Sequence, residues 1–402
     1  MSIAPKAGWK QHAGKLLRAA CIVLPLLAVA CTTQPHDPPQ ALSVAQARRA
    51  MFRAVKKDDP RQLRHALQAH PDVNQTDASG YTPLLLAARW GNSSCIKLLL
   101  EAPDIDVNKV VEDGETAIYK AAGGGHSACV RLLMKARGID VNKAELTYGW
   151  TPLMASSIDR HDHSFRLLLR APGLNINQKD FYGVNVLFHA AFNGNRDGVR
   201  RLLRMGIDTA GFDAAEVAIL RNDTTALKQL IAAGYDVNKR GLYRMAPILW
   251  AAGLGRTECI RLLLAAGADA GVIGPDSGTA LQRAAGQGYS DCVKHLLQAP
   301  GVDANRSDEE GDTPLHYAAY CGYADCIRHL LQTRGIEINK VNESGETPLY
   351  MAAMQGHEDC VRLLLRTPGI RPNKADIHGK TPLQVAEERH HEECAELLKQ
   401  AR

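Results

Sequence analysis

Apolar positions along this chain follow two periods at once. The short one is helical, with aliphatic residues at i, i+3 and i+4 forming a stripe that a helix buries. The long one is 33 to 35 residues, shown by GYTPLLLAA at 80–88, DTPLHYAA at 312–319, GETPLYMAA at 345–353 and GKTPLQVAE at 379–387. Aligned on the Thr of Thr-Pro-Leu, the equivalent positions are Arg49, Thr82, Thr116, Thr151, Asn185, Asp213, Ala246, Thr279, Thr313, Thr347 and Thr381. Fourteen residues past each marker comes Leu63, Ile96, Val130, Phe165, Val199, Leu227, Ile260, Val293, Ile327, Val361 or Ala395, and three residues further on nearly always a Leu. A period of this length predicts an all-α solenoid of about eleven stacked helix pairs.

One unit explains the pattern. Thr is a good N-cap, and Pro at the first helical position gives up a donor that had no partner. The Ala-Ala pair lets neighbouring helices approach. Nine residues past the marker, Gly91, Gly125, Gly194, Gly255, Gly288, Gly322 and Gly356 suit the left-handed turn that ends a helix. The triplets Asp-Val-Asn at 106–108, 140–142 and 236–238 lead into Gly-containing turns, which reads as an extended finger between units.

These motifs resemble the ankyrin repeat family, over roughly residues 46–400. The resemblance implies paired antiparallel helices, β-hairpin fingers and a concave binding face. It implies no single partner or activity.

The first unit, about 46–79, lacks Thr-Pro-Leu, and the last carries Glu387 and Lys399 at positions that are small or aliphatic elsewhere. Both suit end caps on which nothing stacks. The main irregularity is the 28-residue spacing from Asn185 to Asp213, where a finger around 205–212 is short. Units 185–245 are either one drifted stretch or a notch between two sub-stacks.

The N-terminus suggests an address. Residues 1–18 hold Lys6, Lys10, Lys15 and Arg18 and no acid, and 19–30 form an apolar run containing Pro25, too short to span a bilayer. The layout is that of a signal peptide over residues 1–30. Leu27-Ala28-Val29-Ala30-Cys31 resembles a bacterial lipobox, with Ala28 where Leu is more usual. The resemblance implies lipidation of Cys31, followed by a Pro-rich tether over 31–45. Thr32, rather than Asp, implies by the same resemblance the outer membrane, with the protein facing the periplasm. The alternative is cleavage after Ala30, leaving a soluble periplasmic binder.

Charge adds little at the level of the whole chain: the formal net is +5, the proposed signal carries four positive charges, and about +1 remains. Nucleic acid is not implied. Ten cysteines in an exported chain suggest disulfides. Seven of them (Cys95, Cys129, Cys259, Cys292, Cys326, Cys360 and Cys394) share one register, 13 residues past the marker. That register wants a small, half-buried side chain, and stacked helices about 8–10 Å apart keep equivalent thiols beyond the roughly 7 Å a disulfide allows. Cys321 stands out of register.

Candidate chemistry is sparse. EERHHEEC at 387–394 and the group Asp159, His161, Asp162, His163 read as solvated polar turns rather than metal sites, since neighbouring His residues point apart. The Gly run 123–125 lacks the Lys and Ser/Thr of a phosphate loop. No catalytic set, cofactor site or metal site is predicted.

Aromatics are only 5% of the chain, yet Tyr148, Trp150, Phe181 and Tyr182 fall on two adjacent fingers, with Phe188, His189 and Phe192 on the following inner helix. A weaker patch joins Tyr317, Tyr320, Tyr350 and Met354, and Trp90 and Trp250 are further inner-helix candidates. Buried aromatic anchors carry much of the energy of protein interfaces. We therefore expect partner-binding residues at Tyr148, Trp150, Phe181, Tyr182, His189, Tyr317, Tyr320 and Tyr350, although Phe188 and Phe192 can equally fill space. The expected protein is a non-enzymatic scaffold or binder in the bacterial envelope, tethered by lipid to a membrane. An immunity-type protein that neutralises a toxin is the alternative.

Overall fold

Most repeats open with a Thr hydroxyl capping the start of a helix. Thr82 accepts the N–H of Leu85 at the head of helix Pro83–Trp90, and Thr116, Thr151, Thr279, Thr313, Thr347 and Thr381 do the same for their own helices. A cap of this kind contributes about 1 kcal/mol. Where the marker changes, the cap persists in other forms. Asn185 accepts from Leu187, Asp213 builds a reciprocal capping box with Glu216, and Ala246 has no side-chain cap but is followed by Pro247 at the first helical position.

The structure is a computed structural model describing residues 42–157 and 163–401. Cys31 and most of its tether, the apolar run before it, and Asp159, His161 and Asp162 lie outside the described residues. Among the described residues are 22 α-helices, mostly of seven to nine residues. Such lengths are marginal alone and persist because each helix packs against neighbours. The first helix, Val44–Lys56, starts two residues before the expected boundary, with Ser43 and Gln46 capping each other. The chain divides between Asp208 and Thr209 into two compact units, at the short spacing.

The expected glycines lie in the left-handed region, from Gly91 at φ 76° to Gly356 at φ 75°. The same register is held without glycine by Asp58 (φ 51°), Asn222 (φ 58°) and His390 (φ 59°). Asp and Asn are among the residues that best tolerate that conformation. Leu63, Ile96, Val130, Phe165, Val199, Leu227, Ile260, Val293, Ile327 and Val361 are all fully buried. The cysteine register is also fully buried rather than half-buried, and no disulfide occurs among the described residues.

The Asp-Val-Asn triplets have a mechanical role. Asn108 Nδ2 donates to Gly138 O at 2.7 Å, and its Oδ1 accepts from Asp140 N at 2.8 Å. Asn74, Asn238, Asn305 and Asn339 clamp the next repeat in the same way. At the equivalent position Gly271 stands instead, where a Cβ would come within 2.8 Å of Gly301 O. There the chains approach too closely for an Asn.

The fingers are tight turns. Asp77 N donates to Tyr81 O, Gly80 N donates to Asp77 O, and Asp77 Oδ1 accepts from Ser79 N and Tyr81 N. Asp180, Asp308 and Asp376 repeat this arrangement. Among the described residues no strand forms, only the isolated antiparallel bridges Val110–Thr116 and Ile273–Thr279. Five residues closed on a carboxylate leave room for one backbone pair and no ladder. No helix among the described residues is long and apolar enough to cross a membrane.

Candidate partner-binding surface

The finger 145–150 is one residue longer than its neighbours, and its acceptor is correspondingly longer. Glu145 takes the place of Asp, and its carboxylate accepts from Thr147 N at 2.6 Å, Tyr148 N at 2.8 Å and Trp150 N at 2.9 Å. The extra methylene spans the extra residue. In the next finger Asp180 Oδ1 accepts from Tyr182 N and Val184 N, while Oδ2 lies 2.9 Å from His189 Nε2. Phe181 N donates to Tyr148 O at 2.9 Å and joins the two fingers.

These bonds set the aromatic side chains in contact. The Tyr148 ring lies 5.6 Å from Trp150 and stacks on Tyr182 at 6.5 Å, and Trp150 meets His189 edge-on at 4.9 Å. Phe181 is 66% exposed with its ring over Gly149, where a Cβ would come 2.7 Å from it. Tyr182 is 42% exposed, and Tyr148 and Trp150 are half-buried. Burial, with help from Tyr148 and Asp180, pushes the Tyr182 phenol above its ordinary range, so it remains a donor. Leu146, on the tip beside them, is also exposed, and its N–H bonds Asp113 O. The result is a contiguous aromatic surface with rigid backbone support.

His189 does not belong to that surface. It is fully buried, with Asp180 as partner, and supports the rings from beneath. Phe188 is buried as well, stacked at 5.7 Å on the half-buried Phe192.

The second patch is largely spent on internal bonds. Tyr350 is 3% exposed, and its hydroxyl donates to Asp376 at 3.0 Å, which removes it from any contact surface. Tyr317 is half-buried and donates to Asp308 Oδ2 at 2.5 Å; burial and that carboxylate push its phenol up. Tyr320 is half-buried, and its carbonyl lies 3.0 Å from His357 Nε2. Trp250 is a core residue, fully buried, with its indole N–H donated to Glu216 at 3.1 Å. Trp90 is 48% exposed, with the Arg89 guanidinium 5.6 Å from its ring and 5.2 Å from that of Tyr81.

The polar turns have structural uses. His391 covers Gly356 and places Nε2 3.2 Å from Met354 O, across to the preceding repeat. His126 and His357 make the equivalent bonds to Arg89 O and Tyr320 O. His163 opens helix His163–Leu168 with Nε2 3.4 Å from Arg131. The carboxylates of Asp308, Glu310 and Asp312 converge on one finger, but Asp308 is held by two backbone N–H groups and Tyr317, and Asp312 accepts from Asn342. Burial, with the surrounding acids, pushes Asp312 up to about 7.

Comparison with known proteins agrees with this geometry. No curated protein matches the chain. The family model for ankyrin repeats in sets of three copies matches residues 51–145, 142–213, 215–308, 250–342 and 331–402. Capped inner helices, left-handed turns, buried outer-helix stripes and an asparagine clamp between repeats thus recur through stretches that match the model almost end to end, and the chain belongs to the ankyrin repeat family, an all-α repeat solenoid built for protein–protein interaction.

Proposed function

We propose that this chain is a non-enzymatic protein binder of eleven helix-pair units, held in a bacterial cell envelope by lipid on Cys31 and facing the periplasm, with the outer membrane favoured. Its contact surface is Tyr148, Trp150, Phe181 and Tyr182, with Tyr317 and Tyr320 as separate secondary contacts. One observation carries the reading. Four aromatic side chains on two hydrogen-bonded fingers stand at the surface in a chain otherwise poor in aromatics. Backbone bonds to Glu145 and Asp180 fix them before a partner arrives, which reduces the ordering cost of binding.

The test is affinity capture from detergent-solubilised envelopes of the native host, with intact-mass measurement of the bait. A stoichiometric protein partner, lost when Tyr148, Trp150 and Tyr182 are together replaced by Ala, supports the reading. A partner retained by the triple variant would move the contact surface elsewhere. A mass without acyl chains would remove the anchor and leave a soluble binder.

A further inference from the structure

Among the described residues, positive charge is concentrated in the first helix pair, Val44–Lys56 and Pro60–Leu67. Residues 44–67 hold seven Lys and Arg against Asp58 and Asp59. Helix Val44–Lys56 contains no acid at all, and with Lys57 it places Arg48, Arg49, Arg53, Lys56 and Lys57 at the surface. Together with Phe52 these cations line one open hollow of about 530 Å³, in which Asp77 is the single carboxylate, 3.9 Å from Lys56. Arg48 is held in place by donating to Thr76 O at 2.9 Å.

We propose that this hollow docks on an anionic phospholipid surface, so that the first repeat lies against the membrane. The proposal rests on the envelope-anchor reading for its occupant. Eleven residues separate Cys31 from Ser43, and fully extended they reach roughly 35 Å. An anchor on Cys31 would therefore deliver the cationic repeat repeatedly to within a Debye length of the headgroups, about 8 Å at physiological salt. Spread cations around one half-buried Phe suit many phosphates in a plane better than one bidentate acid. The cations also sit on the repeat next to the tether, not on the aromatic fingers, so membrane and partner would occupy different repeats.

The experiment uses residues 31–402 with Cys31→Ser, which keeps every described repeat and carries no lipid. Co-sedimentation is measured with vesicles of 30% phosphatidylglycerol in phosphatidylcholine and with phosphatidylcholine alone. Binding is expected to the anionic vesicles only and to weaken with salt. Arg49→Gln/Arg53→Gln/Lys57→Gln should lower it on the order of 100-fold with unchanged circular dichroism, since the bonds of Arg48 and Lys56 are left intact. Equal binding to both vesicle types, or anionic binding unaffected by the triple variant, would overturn the proposal. So would tighter binding to polyglutamate than to the anionic vesicles, which would make the occupant an acidic chain. Because the Cys31→Ser protein has no acyl group, failure here leaves the anchor itself to be judged by intact mass of the host protein.

Discussion

His189 Nε2 lies 2.9 Å from Asp180 Oδ2, with both side chains out of water, directly beneath the exposed rings of the proposed contact surface. Asp180 is thereby tied to three groups at once: His189 on the helix Val186–Phe192, and Tyr182 N and Val184 N of the finger turn. His189→Ala would strand a buried carboxylate, and we expect it to lower the unfolding free energy of the 42–208 unit by about 3 kcal/mol. His189→Gln keeps a donor and should recover part of that loss. Urea denaturation of the three proteins checks the order. Equal stability of His189→Ala and wild type would show that the pair contributes nothing.

Phe181 represents the opposite case. It is 66% exposed and its ring rests on a glycine, so Phe181→Ala should cost less than about 1 kcal/mol of stability. If Phe181 anchors a partner, the same change should weaken binding at least tenfold, a typical hot-spot effect. Paired thermal melts and binding titrations on captured partner separate the two quantities.

Much of this arrangement could be read in the sequence, and the omissions have identifiable causes. The apolar residue 14 positions past each marker and the Gly nine past most of them are direct demands of packing and backbone, and both are where the pattern puts them. His189, Tyr350 and Trp250 were expected at the surface because a polar tip on an inner helix looks the same from sequence whether it faces water or a buried acid. The signal lay in the spacing: Asp180 to His189 and Asp308 to Tyr317 are both nine residues apart. Glu145 in place of Asp accompanies the one-residue insertion for the same kind of reason. The cationic first repeat disappeared in a chain-wide net charge, because acids elsewhere cancel it without being near it.

Thiol chemistry should divide the cysteines cleanly. Burial pushes Cys95, Cys326 and Cys360 up to about 12 and Cys129, Cys259 and Cys394 up to about 11, which leaves almost no thiolate near neutrality. Cys321 is partly exposed. Native labelling at pH 7.5, followed by peptide mass mapping of the described region, should modify Cys321 first and the others only after denaturation. Rapid native labelling of Cys326 or Cys360 would contradict the packed outer-helix register.

Glu216 makes stability depend on pH. It is fully buried, and burial, reinforced by Asp213, raises it from an ordinary 4.5 to about 7 against the N–H bonds that favour its charged form. Between those values the folded chain holds a proton that the unfolded chain has released. This contribution is complete below about 4.5 and is lost as pH rises through 7. Asp312 titrates in the same range, so a single melting curve cannot isolate Glu216. The midpoint of wild type minus that of Glu216→Gln, measured from pH 4.5 to 8, should fall with rising pH and then level off. A constant difference would mean that the carboxyl titrates normally.

Local stability should be lowest at helix Thr224–Ala232. Most outer helices bury a Cys or small residue, an aliphatic and a Leu, as Glu358–Leu365 does with Cys360, Val361 and Leu364. Thr224–Ala232 buries Leu227 alone; Ala226 and Leu230 are only partly covered. With so little apolar area removed from water, this nine-residue helix has the weakest hold on its neighbours. Hydrogen exchange followed by mass spectrometry should show its amides opening well before those of Glu358–Leu365, in the same compact unit. Filling the gap would test the cause: Ala226→Cys restores the residue most common in that register, and it should slow exchange across 224–232 without altering 358–365. Equal protection of the two helices in the wild type would show that neighbouring repeats, rather than the helix's own buried stripe, set its stability.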